Sequence, residues 1–122
     1  MIYEVGMLCK HFKGNNLLEK NIYRIEKLGV SGKDIDENLI TYSGDGVLKE
    51  SENLVVYSNI FQENKFFARE YEDISSELSQ DKQQLYSQQL KVQPLTQEEI
   101  DIVNSSSFKE EKNILVKQKF SK

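Results

Sequence analysis

The sequence predicts a mainly β fold: a small barrel of short strands in residues 1–78, followed by a helical C-terminal extension in residues 79–122. Three observations predict it. All six glycines lie in the first part, where they punctuate short runs that are apolar or alternate with period two. Within that part, His11-Phe12-Lys13-Gly14, Leu54-Val55-Val56-Tyr57 and Phe67-Ala68-Arg69-Glu70-Tyr71 each join β-type residues to charged or turn-forming ones. After Ser76 glycine disappears, and Gln, Lys and Leu set a helical composition.

In chain order, Met7–Phe12 reads as the first strand and ends at Lys13-Gly14-Asn15-Asn16, where Gly and Asn tolerate positive φ. Asn21–Val30 alternates Ile22, Arg24 and Glu26 with Tyr23, Ile25 and Lys27, as a second strand does. Gly29 and Gly32 bracket a bend into an acidic connector, Lys33–Asn38, before a short β-type piece at Leu39–Tyr42 and a turn at Ser43-Gly44-Asp45-Gly46. Leu54–Tyr57 is β-branched and aromatic and too short for a buried helix, which suits a central strand. Lys65–Arg69 reads as its hairpin partner. Gln80–Leu90 predicts a helix capped by Ser79 with Asp81 in its first turn. Thr96 and Glu99, three apart, form a capping box that starts a second helix, and residues 108–122 read as a short third one.

A chain of 122 residues is one domain and buries roughly two thirds of the surface its unfolded form exposes. Its single cysteine, Cys9, excludes an internal disulfide and leaves zinc without a second thiolate, so a reducing, cytoplasmic setting is expected. No apolar run reaches the roughly 20 residues that span a bilayer, so no membrane partner is expected. Net charge is −4, with nine basic and fourteen acidic side chains in residues 1–78 against seven and six in residues 79–122. Phosphate-backbone affinity calls for the opposite balance, which makes nucleic acid a poor partner.

No catalytic signature is present, and no cofactor is called for. Cys9 and His11, two apart on a strand, share a face, but they supply two metal ligands at most; a core thiol and a strand-end imidazole are the simpler reading. Asp34-x-Asp36-x-Asn38 imitates the start of a calcium loop, yet Leu39 stands where Gly is needed and Asp45 where a bidentate Glu is needed. His11 and Lys13 beside Gly14 are suited to gripping an anion or a carboxylate. Arg69 carries a planar fork that can hold a carboxylate, either a ligand's or one of its neighbours Glu70, Glu72 and Asp73. Tyr57 is placed to line the same surface.

The His-Phe-Lys-Gly corner, the Ile-Tyr strand, Leu-Val-Val-Tyr and the aromatic-Ala-Arg run together resemble a small bacterial family, "domain of unknown function 1653", over about residues 5–78. The resemblance rests on His11, Phe12, Lys13, Gly14, Tyr23, Leu54, Val55, Val56, Tyr57, Ala68 and Arg69. It implies an SH3-like barrel and no established activity. Glu70 replaces the family's usual Pro, which predicts a longer last strand, and the stretch from Ser31 to Leu48 exceeds the usual connector, which predicts an added acidic hairpin over one barrel edge.

The expected function is therefore a non-enzymatic binding module that recognises a peptide or a small anionic ligand in a barrel groove, with His11, Lys13, Tyr57 and Arg69 as its ligand-binding residues. Two alternatives accompany it: an enzyme or enzyme accessory acting on a phosphorylated or nucleotide-like metabolite, and an acidic protein-interaction or structural protein. The C-terminal helices are expected to pack on the barrel or on a partner, including a second copy of the chain.

Overall fold

The computed structural model describes residues 2–42, 50–62 and 64–120. The Ser43–Gly46 turn, with the calcium-loop position Asp45, lies outside them. Six strands, β1 (Leu8–His11), β2 (Ile22–Val30), β3 (Ile40–Tyr42), β4 (Leu54–Asn59), β5 (Phe66–Glu70) and β6 (Val92–Pro94), form one sheet in the order β3-β5-β4-β2-β1-β6. All neighbours are antiparallel except β3, which runs parallel to β5. The four helices are α1 (Tyr71–Ile74), α2 (Gln80–Tyr86), α3 (Gln97–Val103) and α4 (Ser106–Phe120).

The β-plus-α character matches the sequence, but the sheet is open, with β3 and β6 as its edges, where a closed barrel was expected. β2 bends: its register against β4 shifts between Ile25 and Lys27 and again before Val30, and Gly29 sits there at φ +62. Shifts of this kind mark bulges, which kink one strand and increase its twist. The reading of Leu54–Tyr57 as a central strand holds, since β4 is flanked by β5 and β2 and its first four residues are all buried. Glu70 is the last residue of β5. The expected hairpin at Ser31–Leu48 lies partly outside the described residues, which cover 31–42 of it. A 3₁₀ turn at Gly32–Asp34 leads to β3, which joins the sheet parallel to β5.

The extension is not purely helical. β6 pairs with β1, and Glu77 forms a bridge with Leu90, so the segments on both sides of α2 are tied to the sheet. The two predicted caps are in place: the Ser79 hydroxyl accepts from the Lys82 amide, and Thr96 and Glu99 close a reciprocal capping box. The third predicted helix starts two residues earlier than expected, at Ser106, and runs 15 residues to Phe120.

Two hydrophobic clusters cover the two faces of the sheet. One gathers Tyr3, Cys9, Ile25, Val55, Tyr57, Ile74 and Val92. The other puts Ile22 against Leu95, Val103 and Phe108 of the extension. The Tyr3 hydroxyl lies between the carbonyl oxygens of Ile74 (2.9 Å) and Val92 (2.6 Å), with one proton to share between them. Burial pushes its pKa up, and the neutral form is the one that donates. Lysines close the seam between sheet and extension. Lys10 pairs with Glu99 at 2.6 Å, Lys20 donates to the Phe12 carbonyl at 2.7 Å, and Lys112 donates to the carbonyls of Leu18 (2.7 Å) and Lys20 (2.8 Å).

Candidate functional site

Residues opposed in an antiparallel ladder point to the same side. The pairs Cys9↔Tyr23, Ile25↔Tyr57, Val55↔Arg69 and Tyr57↔Phe67 therefore define one face. His11, two residues after Cys9, belongs to it as well. Along this face Tyr23, Tyr57 and Phe67 form an aromatic row, with ring centroids 4.6 Å and 5.7 Å apart, and the His11 imidazole meets the Tyr23 ring edge at 6.2 Å.

At the β1 end of the row the chain turns sharply. Gly14 has φ +111, and a Cβ there would come within 2.9 Å of the Glu19 Cβ and 3.0 Å of its backbone carbonyl carbon, so no side chain fits. Glu19 closes the following loop by accepting from the Asn15 amide (3.0 Å) and the Asn16 side chain (3.2 Å). This corner holds Lys13 beside His11.

Opposite the corner stand the segment after α1 and the first turn of α2, held against residues 89–91 by the Leu78 amide on the Gln89 carbonyl and the Lys91 amide on the Ser76 carbonyl, both 2.9 Å. Between the two walls is a cleft of about 440 Å³ lined by His11, Phe12, Lys13, Arg69, Ser76, Glu77, Leu78, Ser79, Lys82 and Lys91.

The structure thus brings His11, Lys13 and Arg69 together. Tyr57 is not with them: it is only 4% exposed and lies inside the aromatic row. Its expected role as a ligand contact gives way to a packing role beneath the site. Arg69 makes the internal pair that the sequence allowed, and its partner is Asp73, one helical turn on, at 2.8 Å from Nη2. The other Asp73 oxygen takes Lys91 at 2.9 Å, so one carboxylate bridges two cations of the cleft. The Arg69 Nε is buried without a hydrogen-bond partner among the described residues.

Sequence reasoning missed Lys82 and Lys91. Lys82 sits over the Phe12 ring, 5.5 Å from its centroid, a cation–π contact that leaves the ammonium in water. Among the described residues neither Lys13 nor Lys82 has a carboxylate partner.

The electrostatics follow from this crowding. Burial, and then the positive charges of Arg69, Lys13, Lys91 and Lys20, lower the His11 pKa to about 4, so the imidazole is neutral at pH 7. The Lys13 amide approaches Nδ1 at 3.4 Å, which makes Nδ1 the acceptor and places the ring proton on Nε2.

Cys9 is fully buried two residues away, with its thiol pushed up to about 12 by burial. No group of three or more potential metal ligands occurs among the described residues. Cys9 is a core thiol and His11 the last residue of β1.

A second cavity of about 370 Å³ lies under α4, between Leu18, Phe61, Leu115 and Val116. Its lining is mainly apolar, and its lysine, Lys112, is committed to the backbone carbonyls of Leu18 and Lys20. No helix among the described residues is long and apolar enough to cross a membrane. No family model, curated protein or solved structure matches the chain.

Proposed function

We propose that this protein is a non-enzymatic binding module that takes a small anionic ligand into the cleft between the His11–Gly14 corner and the first turn of α2. One observation carries the reading. Lys13, Arg69, Lys82 and Lys91, from four separate segments of the chain, line a single cleft beside a neutral imidazole. Ten residues line it and only Phe12 and Leu78 are apolar, which favours a small polar ligand over a peptide with side chains to bury. The volume lies within the range of roughly 300–1,000 Å³ typical of ligand sites.

In the same reading the strands β1, β2, β4 and β5 are an SH3-like core left open, akin to domain of unknown function 1653. The bulged β2 and the His-Phe-Lys-Gly corner support that relation. A reducing, cytoplasmic setting goes with it, because the one cysteine is a core residue.

Thermal denaturation at low ionic strength with citrate, glutamate, phosphate and neutral glycerol tests the reading. The anions should raise the Tm, added sodium chloride should erase the shift, and Lys13→Gln and Lys82→Gln should reduce it. Anions that stabilise no better than glycerol would remove the basis of the proposal.

A further inference from the structure

We infer that the ligand is a phosphate monoester bound as its dianion. This rests on the cleft being an anion site and narrows it to one chemical class. The charge balance of the lining is the first argument. Lys13, Arg69, Lys82 and Lys91 contribute four positive charges, while Glu77 on the wall and Asp73 across Arg69 and Lys91 contribute two negative ones. Two positive charges are left over. A monocarboxylate would cancel half of that excess, whereas a phosphate monoester carries close to two negative charges at neutral pH and cancels nearly all of it.

The second argument is the direction from which the donors come. Lys13 follows β1, Arg69 is on β5, Lys82 is in the first turn of α2 and Lys91 precedes β6. Three are ammonium point charges with rotatable donors, and they approach from different sides of one cavity, an arrangement suited to a tetrahedral group of oxygens. A planar carboxylate is matched instead by a single guanidinium fork, and here that fork already holds Asp73.

Room is the third argument. About 440 Å³ accommodates a phosphate with a short organic remainder against Leu78 and Phe12. Asp73 fixes Arg69 and Lys91 in position before a ligand arrives, so little order is lost on binding.

The groups facing the cleft that titrate or carry charge are His11, Lys13, Arg69, Asp73, Glu77, Lys82 and Lys91. His11, its pKa lowered to about 4 by burial and the surrounding positive charges, does not change charge appreciably between mildly acid and neutral pH. The ligand does, and that separates the possibilities. Calorimetric titration of the full chain with glycerol 3-phosphate, sulfate and acetate, from about pH 5 to about pH 7.5, reads the second phosphate ionisation near pH 6.

Glycerol phosphate should bind about tenfold more tightly at the upper end, as its dianion fraction rises. Sulfate, a dianion throughout, should bind with no such trend, and acetate should be weakest. Lys13→Gln and Lys82→Gln, both at exposed positions, should weaken glycerol phosphate and sulfate alike. If acetate matches glycerol phosphate, or the phosphate affinity ignores pH, the dianion inference falls while the anion site stands. If none of the three binds, the anion site falls with it.

Discussion

Lysines serve opposite ends in two regions of this molecule. At the seam, Lys10, Lys20 and Lys112 are buried, and each donates to a carboxylate or a backbone carbonyl within 2.8 Å. At the cleft, Lys13 and Lys82 are exposed and Lys91 is half-buried. A buried ammonium is tolerable only where oxygens replace its hydration, and the chain supplies them where the 15–20 loop and α3 meet the sheet. Lys13 and Lys82, given no such oxygens among the described residues, stay in water with their charge available, while Lys91 shares the Asp73 carboxylate with Arg69. The side chain is the same; the supply of acceptors separates fastening from recognition.

The sharpest way to break this comparison is Lys10→Met. It strands the Glu99 carboxylate, which the Lys10 hydrogen bond and the Thr96 amide together hold below its usual pKa against the opposing effect of burial. Removing one partner of a largely buried pair costs about 3 kcal/mol. Denaturant unfolding should show that loss, and adding Glu99→Gln, which keeps the capping box, should recover part of it. Next in size is Lys112→Met, which leaves the Leu18 and Lys20 carbonyls without their buried donor, at about 2 kcal/mol. Hydrogen exchange should then rise first in α4. Neither seam variant should change the salt dependence of anion binding.

Lys82→Gln should behave in the reverse way, with stability unchanged to within about 0.5 kcal/mol and a reduced anion-induced Tm shift. The last test is the pH dependence of His11. Its folded pKa of about 4 lies below the unfolded 6.5, so the unfolded chain takes up the proton first. The stability it contributes is complete above pH 6.5 and drains away as pH falls toward 4. His11→Gln should flatten that part of the acid melting profile, and an unchanged slope would show that the imidazole is not held neutral.

Much of this architecture was written locally. The four apolar residues Leu54–Tyr57 can only be satisfied with cover on both faces, which is why the central strand was legible. The Thr96–Glu99 spacing encodes its own hydrogen bonds. β6 was illegible because three residues ending in Pro94 have no periodicity; they become a strand only once Cys9, Lys10 and His11 offer a partner edge. The parallel course of β3 is likewise a tertiary choice.

The site divides in the same way. Alternation on β1 and β5, with the Val55↔Arg69 register, brings His11 and Arg69 to one face. Lys82 and Lys91 reach the cleft through contacts between residues 76–78 and 89–91, which no short-range pattern announces. The same alternation turned Tyr57 inward, because the middle of that face is packed.

Cys9 is the chain's one cysteine, it sits in the middle of the β1 pairing with β2 and at the end of the pairing with β6, and it has no exposed surface. A thiol reagent can therefore react only when the cluster that covers this face opens, and the raised thiol pKa adds a second barrier. The molecule carries its own stopwatch: the rate at which a disulfide dye is consumed times how often that cover lifts, without any label having to be engineered in.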